Sequence, residues 1–183
     1  MGASRSRPRP DLTTDRRRQN TPAAVAEFAV GKLLRNDRAL DALPAVLARL
    51  VTAFAGRSAL ALQPRAAQPP VVLAAYPEGV ATDQALLTEF NGLSAAPGDP
   101  AADSGSLQLP LKSGGPGMSA LLAYSAAPPG GQCLCALALI GDDSNWDDET
   151  RSIMTVVATT VAAQIRHDND VAELANQQAL AGR

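Results

Sequence analysis

The two cysteines of this sequence, Cys133 and Cys135, are its most reactive side chains and are separated by one residue. On a regular β-strand, residues i and i+2 point to the same face. Their Cβ atoms would then lie roughly 7 Å apart, whereas a disulfide needs about 4 Å, so an undistorted strand cannot bridge them. A zinc site needs about four ligands, and the sequence holds no further cysteine. We therefore expect two small buried apolar side chains here, with thiol chemistry as the alternative.

His167 is the only histidine, and it lies in a polar run near the end of a predicted helix. Haem normally needs an axial ligand such as histidine, and catalytic triads and many metal sites depend on the same side chain. We expect His167 to be an exposed helix residue. The sequence therefore predicts no haem, no metal site and no catalytic triad.

An acidic segment resembles the start of a calcium-binding loop, with Asp143, Asn145 and Asp147 at alternate positions. Such a loop requires glycine at its sixth position and glutamate at its twelfth, and here these are Asp148 and Met154. We interpret the acidic residues as helix-capping groups, which suit the positive end of a helix.

Lys112-Ser113-Gly114-Gly115 resembles a phosphate-binding loop, but the order is reversed. In a phosphate-binding loop, the lysine and serine follow the glycines and open a helix. Here the glycines stand between two predicted strands. A hairpin turn is therefore the better interpretation.

The composition limits the partners. The net charge is −2 and aromatic residues form 3% of the chain, so we expect no nucleic-acid partner. Residues 1–20 carry six arginines and almost no apolar side chains, which predicts a disordered basic tail; the alternative is a tether for nucleic acid or an anionic membrane. No apolar run approaches about 18 residues and no export signal is recognisable, so we expect a cytoplasmic protein without membrane contact.

The first half of the remaining sequence predicts two helices and a hairpin. One helix starts at Thr21-Pro22, and its apolar face is formed by Val25, Phe28, Leu33 and Leu34. The next helix runs from Leu40 to Phe54, with Asp37 as its cap and Gly56 at its end. Alternating apolar residues then predict the two strands of a hairpin over 58–63 and 71–76, with a turn over 64–70. A short helix is predicted over 82–90, with Leu86, Leu87 and Phe90 apolar.

The second half predicts a loop, three strands and a long helix. Residues 91–104 form the loop, and the strands cover 106–111, 119–124 and 133–140. Their short Gly- and Pro-rich links predict an antiparallel meander, and the last strand is apolar on both faces, which is typical of a central strand. Ser144 or Asn145 can cap the final helix, whose buried stripe is Ile153, Val156, Val157, Val161 and Ile165.

This order of elements, together with four local motifs, resembles the GAF domain family over residues 37–166. The first motif is an amphipathic helix that ends in Ala55-Gly56-Arg57 before a strand, and the second is a strand that ends in Pro110-Leu111. The third is an apolar strand and polar turn that lead to Trp146-Asp147-Asp148-Glu149. The fourth is a terminal helix over 153–165, with Ala158, Ala162 and Ala163 for close packing. The resemblance implies an α+β fold with a central antiparallel sheet of five to six strands, flanking helices and a long C-terminal helix.

In this family the middle helix and loop enclose a pocket on one face of the sheet. The resemblance therefore implies that a pocket here would be formed by Leu62, Tyr76, Phe90, Leu109 and Ala136. The alternative is that these side chains are ordinary core residues. Bilin-binding members use a pocket cysteine that is usually followed by histidine, and members that bind cyclic nucleotides carry an Asn-Lys-Phe-Asp-Glu signature. Neither occurs here, so we expect no bilin and do not favour cyclic GMP.

The resemblance implies a sensory, dimerising module of a bacterial signalling protein rather than an enzyme. We expect a basic tail over 1–20, a sensory domain over 21–166 and a signalling helix over 167–183. Because a polar helix has little reason to persist alone, we expect it to pair with a second copy through Val171, Leu174 and Leu180. The expected output is a diguanylate cyclase, acting in cyclic di-GMP signalling, or else a histidine kinase or a phosphatase. The alternatives are a stand-alone free-methionine-sulfoxide reductase using its cysteines, and a purely structural dimerisation module.

Overall fold

A central antiparallel sheet with helices on both faces forms the fold. The computed structural model describes residues 21–35, 38–65, 68–90, 104–113, 115–126, 133–142 and 146–181. In this part of the chain the sheet has five strands in the order β2-β1-β5-β4-β3. The strands are β1 (Ser58–Arg65), β2 (Gln68–Tyr76), β3 (Ser104–Pro110), β4 (Met118–Ala126) and β5 (Cys133–Asp142). The helices are α1 (Pro22–Arg35), α2 (Ala39–Ala53), a 3-10 turn (Glu78–Thr82), α3 (Gln84–Glu89) and α4 (Asp148–Ala181). The GAF-like α+β fold class is confirmed.

Helix α1 begins where the Thr-Pro signal predicts. The backbone N–H of Ala24 donates to the Thr21 hydroxyl at 3.4 Å, and the N–H of Val25 donates to the Thr21 carbonyl at 3.0 Å. The buried stripe is Val25, Ala29 and Leu33, at positions i, i+4 and i+8. Leu34, predicted on this face, is 61% exposed because it lies one residue beyond the stripe.

Helix α2 ends in a left-handed turn at Ala55. The φ angle of Ala55 is 52°, and the N–H of Gly56 donates to the Val51 carbonyl at 3.0 Å. This is the Schellman arrangement, in which glycine usually occupies the position of Ala55. The prediction that Gly56 is the helix-ending glycine was therefore wrong by one residue. The predicted cap Asp37 lies outside the described residues.

Gly56 is required for a different reason, which is close packing. A Cβ atom at Gly56 would lie 2.6 Å from Leu139 Cδ1 and 3.3 Å from the Ile140 carbonyl oxygen. The chain therefore passes directly over β5 as it leaves α2. At this approach the Arg57 backbone N–H donates to the same Ile140 oxygen, with 2.7 Å between nitrogen and oxygen.

The hairpin of β1 and β2 is longer than predicted and contains a bulge. The strands extend to Arg65 and resume at Gln68, which shortens the turn predicted over residues 64–70. Ala61 pairs with Ala74, but Leu62 pairs with Val72, so one residue is inserted in β2. A bulge of this kind interrupts the alternation of side chains between the two faces.

Strand β5 occupies the centre of the sheet, between β1 and β4, as the doubly apolar pattern predicts. Leu137 and Leu139 pack with the long helices, whereas Ala136 and Ala138 face the other side. All four are buried. The predicted meander of β3, β4 and β5 is confirmed, and both of its pairings are antiparallel.

Helix α4 is one continuous helix capped by Asp147. The Asp147 carboxylate accepts from the Thr150 N–H at 2.8 Å and from the Thr150 hydroxyl at 2.6 Å. These two hydrogen bonds, the hydroxyl first, lower the pKa of Asp147. The alternative caps Ser144 and Asn145 lie outside the described residues. In the buried stripe Met154 is completely buried and Val156 is 46% exposed, so Val156 was wrongly placed there.

Candidate functional site

The sheet face opposite the long helices carries the candidate site. We call the buried residues on this face the α3-side cluster. The members from the sheet and its turns are Leu60, Leu62, Ala75, Leu111, Ala120, Leu122, Ala136, Ala138 and Ile140. The members from the covering segment are Leu86, Leu87 and Phe90. The described members of this cluster are all apolar, and the phenol of Tyr124 packs against them.

Four of the five residues predicted to line a pocket lie on this face. Leu62, Phe90 and Ala136 belong to the α3-side cluster and are at most 2% exposed. Leu109 packs against the cluster while half-buried. Their assignment to a ligand pocket stays a prediction, because buried apolar side chains also describe a packed core.

Tyr76, the fifth predicted residue, lies elsewhere. It is 39% exposed and pairs directly with Ala59. Ala59 belongs to the other buried cluster, which contains Leu47, Leu139 and Val157 and which we call the helix-side core. Directly paired residues of antiparallel strands share a face, so Tyr76 is on the opposite side of the sheet from Leu62. The bulge in β2 is the reason, because it sends the consecutive residues Leu73 and Ala74 towards the helices and moves the alternation by one.

Helix α3 covers the cluster although it has only six residues. Isolated helices below about 12 residues are marginal in water, so its position depends on its anchors. At the start, the Asp83 carboxylate accepts from the Leu86 N–H at 3.1 Å. Along its length Leu86 and Leu87 are buried, and Phe90 follows with 1% exposure.

At its end, α3 is held by Glu89. One carboxylate oxygen accepts from the Lys112 backbone N–H at 2.8 Å, and the other accepts from the Ser113 backbone N–H at 2.6 Å. Burial raises the pKa of Glu89, but hydrogen bonds from Lys112 and Ser113 and the charge of Lys112 outweigh it, so the pKa lies below its ordinary value. We call this arrangement the Glu89 clasp.

The segment that resembles a phosphate-binding loop is the other half of the clasp. Leu111 donates to the Met118 carbonyl at 2.9 Å, and Gly115 and Gly117 adopt φ angles of 89° and 80°. The predicted hairpin turn is thus confirmed. Its consecutive backbone N–H groups do bind an anion, but the anion is the protein's own Glu89. Sequence reasoning missed Glu89 because it lies 23 residues before Lys112, so no local spacing marks it.

Tyr124 is another residue at this face that the sequence did not single out. It packs half-buried against the α3-side cluster and pairs with Gly105 across β3 and β4. A Cβ atom at Gly105 would lie 2.6 Å from the Tyr124 hydroxyl oxygen. Gly105 therefore leaves room for the end of the tyrosine side chain beside β3.

Among the described residues, those that could have carried chemistry are not brought together at this face. Cys135 is completely buried in the helix-side core, and the side chain of Cys133 lies outside the described residues. Ser125 pairs with Cys135, but Ala126 pairs with Cys133, so the regular alternation assumed for the two cysteines is interrupted between them. His167 is exposed on α4, as predicted. Among the described residues, no group of three His, Cys, Asp or Glu side chains could hold a metal ion.

A polar network joins α4 to the sheet edge. Arg151 Nη2 donates to Gln108 Oε1 at 2.9 Å, and Arg151 Nε donates to the Trp146 carbonyl at 3.2 Å. Gln108 Nε2 in turn donates to the Ser119 hydroxyl at 3.2 Å. The start of α4 is therefore tied to both β3 and β4, the strands that carry Leu109 and Tyr124.

The far half of α4 carries the predicted dimer residues. Val171, Leu174 and Leu180 are 51%, 58% and 72% exposed. At 3.6 residues per turn, Val171 and Leu174 lie about 60° apart around the helix, whereas Leu180 lies about 120° from Leu174. Val171 also borders a groove with Leu40 at the start of α2. Leu180 is therefore on a different side of the helix from the other two.

Comparisons with known proteins establish the fold. No family model matches the chain, and no curated protein sequence matches it. Among solved structures, it is similar to the crystal structure of the GAF domain of a proposed sensor histidine kinase from Pseudomonas syringae pv. tomato. The TM-score is 0.61 at 17% sequence identity, and the alignment covers 91% of this chain and 99% of that chain. Within the described ranges, no helix is both long and apolar enough to span a bilayer.

Proposed function

We propose that this chain is a regulatory sensory domain of the GAF type, which binds a small apolar ligand at the α3-side cluster and signals through α4. The observation that supports this most directly is the course of α4. Its first half is buried against the sheet as far as Ala162, and the same helix continues, largely exposed, to Ala181. One rigid element thus connects the core to a surface more than 20 Å away, at about 1.5 Å of rise per residue.

The route from ligand to helix passes through the Arg151 network. A ligand at the α3-side cluster would contact strands β3 and β4, and Gln108 and Ser119 on those strands are hydrogen-bonded to α4. A small shift of these strands would therefore move the start of α4. Packed elements of this kind move between discrete arrangements, which is how a local change reaches a distant surface.

Dimerisation is the second part of the proposal. Val171 and Leu174 leave large apolar side chains exposed on one side of a polar helix. Pairing with a second copy would bury them and would position two output domains next to each other. A histidine kinase or a diguanylate cyclase fits this role because both work on a dimeric arrangement of their catalytic parts.

Hydrogen exchange tests the signalling proposal. We expect a ligand identified by native mass spectrometry of freshly purified protein to slow amide exchange in α3 and to change exchange over residues 167–181. Excess ligand at about 100 times its Kd should also raise the free energy of unfolding by about 2.7 kcal/mol. A ligand that protects α3 but leaves α4 unchanged would contradict transmission through α4.

A structural dimerisation module is the second candidate. Leu60, Leu62 and Leu122 are at most 1% exposed, so the α3-side cluster has the packing of an ordinary core. A high-resolution structure with side chains filling this face completely would favour that candidate. The complete burial of Cys135 argues against a thiol enzyme, because a reactive thiolate requires access to its substrate.

A further inference from the structure

The Glu89 clasp joins helix α3 to the β3–β4 turn. Helix α3 contributes Leu86 and Leu87 to the α3-side cluster, the next residue contributes Phe90, and the β3–β4 turn contributes Leu111. Glu89 is the last residue of α3, so its carboxylate lies where the cover meets the turn. Both of its hydrogen bonds are accessible to solvent, which allows water to replace them without opening the core.

We propose that the Glu89 clasp is the latch of a gate, and that release of Glu89 from Lys112 and Ser113 lets the C-terminal end of α3 move away and admit an apolar ligand to the α3-side cluster. The inference rests on the apolar ligand site proposed above and adds how access to it is controlled. At the other end of α3, the Asp83 side chain accepts from the Leu86 N–H, the Leu87 N–H donates to the Asp83 carbonyl at 2.9 Å, and the Asp83 N–H donates to the Val80 carbonyl at 3.2 Å. None of these hydrogen bonds involves the clasp, so the gate turns about the end near Asp83.

The physical basis is the difference between the closed and released states. In the closed state, both carboxylate oxygens accept from consecutive backbone N–H groups, which are among the stronger hydrogen bonds of proteins. In the released state, water satisfies all of these groups, so the net cost is modest. A six-residue helix has little stability of its own to resist that movement. The closed cover is thus stable at rest but can open on the timescale of loop and lid motions.

The test compares Glu89→Gln with Glu78→Gln. The amide of glutamine offers one acceptor oxygen in place of two and carries no charge, so one clasp hydrogen bond is lost and the other is weakened. Glu78 is exposed on the 3-10 turn before α3, so its substitution removes the same charge without touching the clasp. Amide exchange of Leu137 and Leu139 in β5 reports whether each variant keeps its core.

We expect Glu89→Gln to accelerate amide exchange of Lys112 and Ser113 at least about tenfold, because losing a charge-assisted hydrogen bond changes an equilibrium by at least that factor. The association rate of the neutral apolar dye Nile red, measured by stopped-flow fluorescence, should rise by a similar factor. Glu78→Gln should match the original protein in both measurements. Ser113→Pro, which removes one clasp donor and leaves Glu89 intact, should also accelerate dye binding. Because the clasp is one unit, the double variant should be no faster than the faster single variant.

Three outcomes would overturn the gate. Unchanged exchange at Lys112 and Ser113 in Glu89→Gln would show that the carboxylate does not hold the turn. Faster exchange with an unchanged dye association rate would show that the clasp stabilises the turn without controlling access, and the proposed ligand site would be unaffected. If saturating dye binds neither the original protein nor the variant, both the gate and the apolar ligand site are contradicted.

Discussion

At the scale of single residues, two neighbours at the end of α2 have opposite requirements. Ala55 adopts a φ angle of 52°, which is unfavourable for a residue with a Cβ atom. Gly56 has no such backbone requirement but lies against Leu139 and the Ile140 carbonyl. One position would therefore benefit from glycine, and the adjacent position cannot accept anything larger than glycine without movement.

We predict that Ala55→Gly raises the free energy of unfolding by about 1 kcal/mol, because glycine adopts a left-handed conformation without steric cost. Urea denaturation followed by circular dichroism measures the change. The matched control is Ala53→Gly, in the last turn of α2, which should lower the free energy of unfolding by about as much. A loss of stability in both variants would contradict the left-handed assignment.

We predict that Gly56→Ala lowers the free energy of unfolding by about 1–3 kcal/mol, because the new methyl group overlaps Leu139 and crowds the Ile140 carbonyl. Gly31 in α1 is the control, since a Cβ atom there meets nothing within 4 Å. Gly31→Ala should therefore stabilise the protein by about 0.5–1 kcal/mol, the helix-propensity gain. Thermal and urea unfolding measure both, and equal signs for the two variants would refute the packing argument.

At the scale of elements, the clasp and the Arg151 network attach two helices to the sheet through polar contacts at its edges. The clasp attaches the C-terminal end of α3, and Arg151 attaches the first turn of α4. The clasp depends on the ionised Glu89 carboxylate and is therefore sensitive to acid, and the Arg151 network can be removed by a single substitution. The apolar contacts beneath them carry no titratable group.

We predict that the clasp loosens in acid. The pKa of Glu89 is lower in the folded protein than in the unfolded chain, so its contribution to stability is fully present above the unfolded value of about 4.3 and is lost as pH falls through the folded value. The amide chemical shifts of Lys112 and Ser113, followed by NMR, should titrate together with a midpoint below the ordinary pKa of a glutamate side chain. In Glu89→Gln this titration should be absent, and its persistence would assign it to another group.

We predict that Arg151→Met weakens the attachment of α4 to β3. Methionine retains the apolar contacts of the arginine stem but loses the hydrogen bonds to Gln108 and to the Trp146 carbonyl, at a cost of roughly 1.5 kcal/mol. Arg166→Met, at an exposed position of the same helix, should change stability little. In hydrogen exchange, Arg151→Met should also reduce any effect of a ligand on residues 167–181. An unchanged ligand effect would remove Arg151 from the signalling route.

At the scale of the whole molecule, the proposed dimer surface lies on the exposed C-terminal half of α4. Val171 and Leu174 lie on one side with Leu40 nearby, and Leu180 is on another. The sequence-based hypothesis had Val171, Leu174 and Leu180 in one seam, whereas this arrangement leaves Leu180 outside it. A substitution at Leu180 can therefore serve as the control for the same substitution at Leu174.

We predict that Leu174→Glu weakens the dimer at least tenfold, because a buried carboxylate without a partner is strongly unfavourable. Leu180→Glu should weaken it much less, although Leu180 is the more exposed of the two. Sedimentation equilibrium over a range of concentrations measures both dissociation constants. A strict monomer in the original protein, or equal effects of the two substitutions, would contradict a seam through Leu174.

The sequence by itself determined the elements and their order. Thr21, the alternating strands and the doubly apolar β5 carry their signals within a few residues, because helix caps and side-chain periods are local properties. The GAF-like fold class followed from that order. The family resemblance implied that Leu62, Phe90 and Ala136 lie on the same side of the sheet.

Only the tertiary structure decided the remaining features, each of which depends on contacts between distant segments. The bulge moved Tyr76 to the opposite face from Leu62, because strand register depends on the partner strand. Val156 is exposed and Met154 is buried because the packing of α4 on the sheet sets the rotation of that helix. Glu89 meets Lys112 and Ser113 because the fold returns the chain to α3 after 23 residues, and no local pattern encodes such a meeting.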